Sequence, residues 1–159
     1  MTRPHLDERQ IVEAIIAKLD NDAALAALLA VGSGDHKIRY SDQLEEEVSP
    51  AVVVSAPADS RDGIVSQVHA MIIQIDSSTR CARLDPADPQ DPQAHTSNIK
   101  RRIRELMIGT KGVGHSYLVV GGCAAAVVSE DNDIPLRKDV GRESEFWIAT
   151  QQFRVTYIR

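Results

Sequence analysis

The sequence predicts an α+β fold: a single domain in which N-terminal helices and one further helix pack on a twisted, mainly antiparallel sheet. Leu6, Ile11, Val12, Ile15, Ile16 and Leu19 recur at helical spacing, and an Ala/Leu run over 23–30 follows at once. After Lys37 the apolar residues come in β-rich runs separated by charged, Pro or Gly segments. At 159 residues the chain fits one domain, long enough to bury roughly two thirds of its unfolded surface without disulfides or metals.

Each element has its own local signal. Pro4 presets an extended start, and Asp7 or Glu8 serves the first turn of a helix running to about Leu19. Asp20-Asn21-Asp22 breaks that helix and caps a second over 23–30, which Gly32 and Gly34 end. A short strand is expected over 36–40, a solvated turn at Glu45-Glu46-Glu47, and an apolar strand over 51–55 opened by Pro50. Residues 57–63 read as an exposed hairpin tip and 65–77 as a strand covered on both faces, because Met71, Ile72 and Ile73 are all apolar.

Pro86, Pro89 and Pro92 make 84–93 a stiff surface connector. Thr96 or Ser97 caps a helix through Met107, with Ile99, Ile103 and Leu106 inward and Lys100, Arg101, Arg102 and Arg104 outward. Residues 116–129 read as one long strand bent at Gly121-Gly122, 130–144 as a charged protruding loop, and 145–158 as the closing strand. Trp147, Ala149, Phe153, Val155 and Tyr157 share one face of that strand, which makes it the expected centre of the core.

A net charge of -5 argues against generic nucleic-acid binding, which needs basic surface to displace counterions. Cys81 and Cys123 are too few for a disulfide framework and suit a reducing compartment. No stretch has the roughly 20 apolar residues that span a bilayer, and Met-Thr-Arg-Pro-His lacks the apolar stretch of a signal peptide, so a soluble product made in the cytoplasm is expected.

Catalytic and metal constellations are weak. The Gly-rich segment 109–116 follows a helix and precedes a strand, the reverse of a phosphate loop. His5, His36, His69, His95 and His115 show no ligand spacing. Asp76, Glu105 and Glu130 would make a nuclease triad only if three separate elements converged. Ser116 and Ser129 lack a nucleophile elbow. No cofactor or metal is expected. The Lys100-Arg101-Arg102 and Arg104 face reads either as solvated or as a dock for an acidic partner.

Residues 11–30, with their Asp-x-Ala-Leu-x-Ala-Leu-Leu stretch, then Lys37-Ile-Arg-Tyr40 and Ser49-Pro-Ala-Val-Val-Val54, resemble the opening of tail terminator proteins, also called tail completion proteins, of long-tailed phages and viruses. The order of elements is similar over nearly the whole chain and the wording over the first 55 residues. The resemblance implies a non-enzymatic virion protein, assembled in the host cytoplasm and placed at the tail–neck junction. There it forms a ring, usually hexameric, that caps the tail tube and docks the head–tail connector, while DNA passes through the lumen without specific binding. A head–tail connector or neck adaptor is the alternative, and a small nuclease or hydrolase a more distant one. In such a ring Arg61, Asp62, Arg101, Arg102, Arg137, Lys138, Asp139 and Arg142 are the candidate subunit and partner contacts. The chain departs from the family pattern in its proline segment 86–92 and in 130–144.

Overall fold

The first helix, α1 (Glu8–Asp20), buries Ile11, Val12, Ile15 and Leu19 and leaves Glu13, Ala17 and Asp20 exposed, the single apolar stripe that helical spacing dictates. Asp22 stops it and caps the next: its backbone is extended and its carboxylate accepts the Leu25 N–H at 2.8 Å, opening α2 (Ala23–Leu29). The other end of α2 is held by Lys37, whose Nζ donates to the carbonyls of Leu29, at 2.6 Å, and Val31. The computed structural model describes residues 8–40, 48–61, 68–81, 89, 91–109, 115–120, 123–141 and 145–158.

Six strands follow: β1 (Ile38–Tyr40), β2 (Ala51–Arg61), β3 (Val68–Arg80), β4 (His115–Val120), β5 (Cys123–Val140) and β6 (Glu145–Ile158), with α3 (Pro92–Ile108) between β3 and β4. They form one sheet in the order β1-β2-β3-β6-β5-β4, parallel only between β1 and β2. This is the expected α+β architecture with a mainly antiparallel sheet. Helix α3 lies across β3, β6 and β5, while α1 touches β1, β2 and β4. Because β1 and β4 are the two outermost strands, the sheet curls around α1.

The core lies between helices and sheet: Ile11, Ile15, Leu19 and Leu25 meet Ile99, Ile103 and Met107 of α3, Met71, Ile73 and Ile75 of β3, and Phe153, Val155 and Tyr157 of β6. Fully burying each such side chain stabilises the fold by about 1.5–3 kcal/mol. Trp147 shares the parity of Phe153 but is half-buried and lies outside that cluster. Strand β3 is covered on its helix side from Met71 to Thr79, and on the other side Ala70 and Ser78 are buried while Ile72 is half-buried.

Several boundaries differ from expectation, for physical reasons. The expected tip 57–63 is strand as far as Arg61, and the expected loop 130–144 is strand as far as Val140. Both carry a register shift at a proline, between Ser55 and Ala58 around Pro57 and between Ile134 and Arg137 around Pro135. A residue with no N–H is accommodated in a ladder at a bulge. The single strand over 116–129 is instead the hairpin β4–β5, with Val120 opposite Cys123; the expected bend at Gly121-Gly122 lies outside the described residues. Helix α3 starts at Pro92, not at Thr96 or Ser97: Asp91 accepts the Ala94 N–H at 3.1 Å, and proline needs no N–H partner in a first turn. Thr96 is buried within the helix and donates to the Pro92 carbonyl at 2.8 Å. Strand β3 lies about three residues later than the expected 65–77, and β1 starts at Ile38 because His36 takes a φ of 53°. The expected Glu45-Glu46-Glu47 turn, Pro86 and the side chain of His69 fall outside the described residues.

Candidate assembly surface

The basic face of α3 is engaged within the chain. Arg102 grips both oxygens of Asp22, at 2.8 and 2.6 Å, and donates to Glu105 at 3.1 Å. Arg104 pairs with Glu130 at 2.9 Å and Lys100 with Asp133 at 2.5 Å, tying α3 to β5. Arg101 is exposed, its guanidinium making a long contact of 3.4 Å to Asn98. Hydrogen bonding to Asp22 and Glu105 raises the pKa of Arg102, and the bond to Glu130 raises that of Arg104.

Asp22 is the hinge of this arrangement, capping α2 and receiving Arg102 with one carboxylate. The Arg102 hydrogen bond holds its pKa below the ordinary 3.8, against an opposing effect of desolvation. A carboxyl depressed on folding stabilises fully above its unfolded pKa and loses that contribution as pH falls through the lower folded value. Stability should therefore decline below about pH 4. Asp22→Asn, which can still cap, should flatten that acid limb in urea unfolding series, whereas Asp22→Ala should lose about 1 kcal/mol more through the missing cap.

The remaining predicted contact residues do not gather. Arg61 ends β2 opposite His69, which pairs with Tyr157, while Arg137 stands opposite Ile148. Nine positions along β6 separate these levels, about 30 Å at the rise of a strand. Lys138 pairs with Glu145 at 2.9 Å, and Asp139 accepts the N–H of Val140 at 2.9 Å. Asp62 and Arg142 lie outside the described residues.

Arg137 enters a polar network that sequence reading missed. It donates to Thr150 Oγ1 at 2.9 Å, and that hydroxyl donates to Asp76. Gln74 donates to Asp76 at 2.9 Å and Gln152 to Gln74 at 3.0 Å. The network crosses β5, β6 and β3 on the face of the sheet away from the helices; alternate polar residues at 74, 76, 150 and 152 were its signal in the sequence. Asp76 is thereby kept apart from Glu105 and Glu130, which pair with arginines of α3 on the opposite face. Among the described residues no three His, Cys, Asp or Glu side chains converge as metal ligands. Nor is any described helix long and apolar enough to cross a membrane.

Two apolar features stand at opposite edges of the sheet. On β4, Tyr117 and Val119 are 59% and 58% exposed, and Val127, opposite Tyr117 on β5, is 39% exposed. At the other edge a groove of about 570 Å³ runs between α1 and β1–β2, lined by Arg9, Val12, Glu13, Ile16, Tyr40 and Ala56, with Tyr40 64% exposed. The sequence signal was present in His115–Val120, whose apolar residues fall on both faces, but only the sheet order reveals an edge strand.

Fold and surface together define an α+β protein whose distinguishing features are an exposed apolar patch and an apolar groove. No protein-family model matches the sequence, and no curated protein matches it significantly. The fold is similar to that of a chain in a solved structure described as the virion of a native gene transfer agent (GTA) particle, with a TM-score of 0.57, 14% identity, and 94% of this chain and 95% of that chain covered. That likeness establishes a shared fold, end to end.

Proposed function

We propose that this chain is a structural protein of a phage-like virion, specifically the tail terminator subunit: a ring-former that caps the finished tail tube and presents the surface on which the head connector docks. The observation that carries the reading is the end-to-end fold likeness to a chain of a virion particle, joined to the terminator-like wording of residues 11–54. Its partners are then further copies of itself, the tail tube protein and the connector, with DNA passing through the lumen, and its place is the tail–neck junction. A virion subunit works through its surfaces, and no reaction is assigned to it. Arg61, Asp62, Arg101, Arg137, Lys138, Asp139 and Arg142 remain candidates for partner contacts that set register rather than affinity, whereas Arg102 serves first as the clamp between α2 and α3.

A closed ring needs two unlike surfaces that meet head to tail, and the chain carries such a pair at the two edges of its sheet. A neck adaptor is the second reading, because it uses the same ring logic on the head side of the joint. Mass photometry of the purified chain, alone and with isolated tail tubes, separates these outcomes. The terminator reading expects closed oligomers that bind tube ends; a neck adaptor would bind connectors and leave tubes bare; a chain that stays monomeric with both would overturn the ring.

A further inference from the structure

The open edges of the sheet are not alike. Beyond Val54, β2 has no described neighbour on the β1 side, and this stretch contains Pro57 and a register shift. Beyond Ser129, β5 has none on the β4 side, and its 130–140 stretch carries Pro135, two register shifts and six charged residues. Prolines, bulges and charge are the devices that keep edges from pairing with other chains, and β1 is shielded by being only three residues long. Strand β4 has neither proline nor Asp, Glu, Lys or Arg, and it presents Tyr117 and Val119 outward. It is the one described edge longer than three residues with neither proline nor charge, and the one register shift in its pairing, between Leu118 and Val119, leaves the extra residue on β5 rather than on the edge itself.

The opposite edge supplies an apolar groove with a matching charged rim. The α1–β1 groove is concave and apolar at its base, where Val12, Ile16 and Ala56 lie, and its rim carries Arg9 and Glu13 paired at 2.8 Å. The β4 patch is apolar and exposed and is bordered by Arg154 and Asp131 at 3.7 Å, Arg154 standing opposite Ser129 two positions along from Val127. When patch meets groove, these exposed pairs can exchange partners, Glu13 to Arg154 and Arg9 to Asp131, so that no charge is left unpaired at the margin of the apolar contact.

We infer that the occupant of the α1–β1 groove is the β4 patch of a second copy of this chain, with Tyr117 and Val119 entering beside Tyr40 and the contact repeating head to tail. This deepens the ring reading and rests on it. Apolar side chains form the centre of the contact and the two ion pairs its rim, the usual anatomy of a specific interface. The arrangement is heterologous: every contact uses one patch and one groove.

The test uses two full-length variants, Val119→Asp at the patch and Tyr40→Asp in the groove, both at exposed positions. Each alone should raise the concentration needed for assembly by about tenfold or more, with an unchanged circular dichroism spectrum. Mixed one to one, the intact patch of Tyr40→Asp should enter the intact groove of Val119→Asp, giving dimers of one subunit each and nothing larger in mass photometry. Val119→Ser and Tyr40→Ser repeat the measurement should either charged variant fail to fold. Single variants that assemble like the wild type, or a mixture that stays monomeric, would overturn this interface while leaving the ring reading standing. A wild-type chain that remains monomeric even on tail tubes would overturn both.

Discussion

Phe153→Ala is expected to destabilise the fold by about 3–5 kcal/mol through the cavity it leaves. Phe153 is fully buried, stands opposite Ile73 on β3, and belongs to the cluster that joins all three helices to the sheet. Against the 5–15 kcal/mol typical of a domain this is a large share, lowering the midpoint of thermal unfolding by about 10 °C or more. Trp147→Ala supplies the control. It removes a larger ring from the same strand face, but from a half-buried position outside the core cluster, so a smaller loss is expected. Equal losses for the two would contradict this placement of the core. Calorimetry of both variants decides it.

Gly32→Ala should be the most damaging substitution outside the core. Gly32 has a φ of +79°, and a Cβ there would stand 1.9 Å from the carbonyl oxygen of Ser49. That oxygen cannot retreat without cost, because it accepts the Ser33 N–H at 2.9 Å while Ser49 N–H donates back to Ser33 at 3.0 Å. Strain and overlap together should cost about 3 kcal/mol or more. Gly109 has a similar φ of +81° at the end of α3, but among the described residues nothing lies within 4 Å of its would-be Cβ. Gly109→Ala should therefore cost only backbone strain, about 1–3 kcal/mol. Urea midpoints for the two variants would separate steric overlap from conformational preference, and a Gly32 variant no worse than the Gly109 variant would remove the overlap from the explanation.

What was legible in the sequence followed the strength of local signals. Helices α1 and α2 could be read because a single apolar stripe and Asp22 are local facts, and β6 because Phe153 to Tyr157 alternate cleanly. The full lengths of β2 and β5 were hidden because charge and proline resemble a loop, whereas a stretch with a described ladder partner on one side only tolerates both at bulges. The glycine pair at 121–122 sat in an apolar run that read as continuous until Val120 and Cys123 were found opposite each other.

The candidate surface was legible as charges but not as partners. Asp22 and Arg102 are 80 positions apart, and only the packing of α2 on α3 brings them together. Tyr117 and Val119 lie in a strand that is apolar on both faces, which in sequence resembles a central strand. Position at the edge of the sheet is a property of topology, and it converts the same residues into an exposed patch.

Electron microscopy of the purified chain incubated with isolated tail tubes tests the proposed ring. The expected result is a closed ring seated on one end of each tube, built from subunits in contact through the β4 patch and the α1–β1 groove. Tube ends that stay bare at saturating protein, with the chain monomeric in the surrounding field, would contradict it.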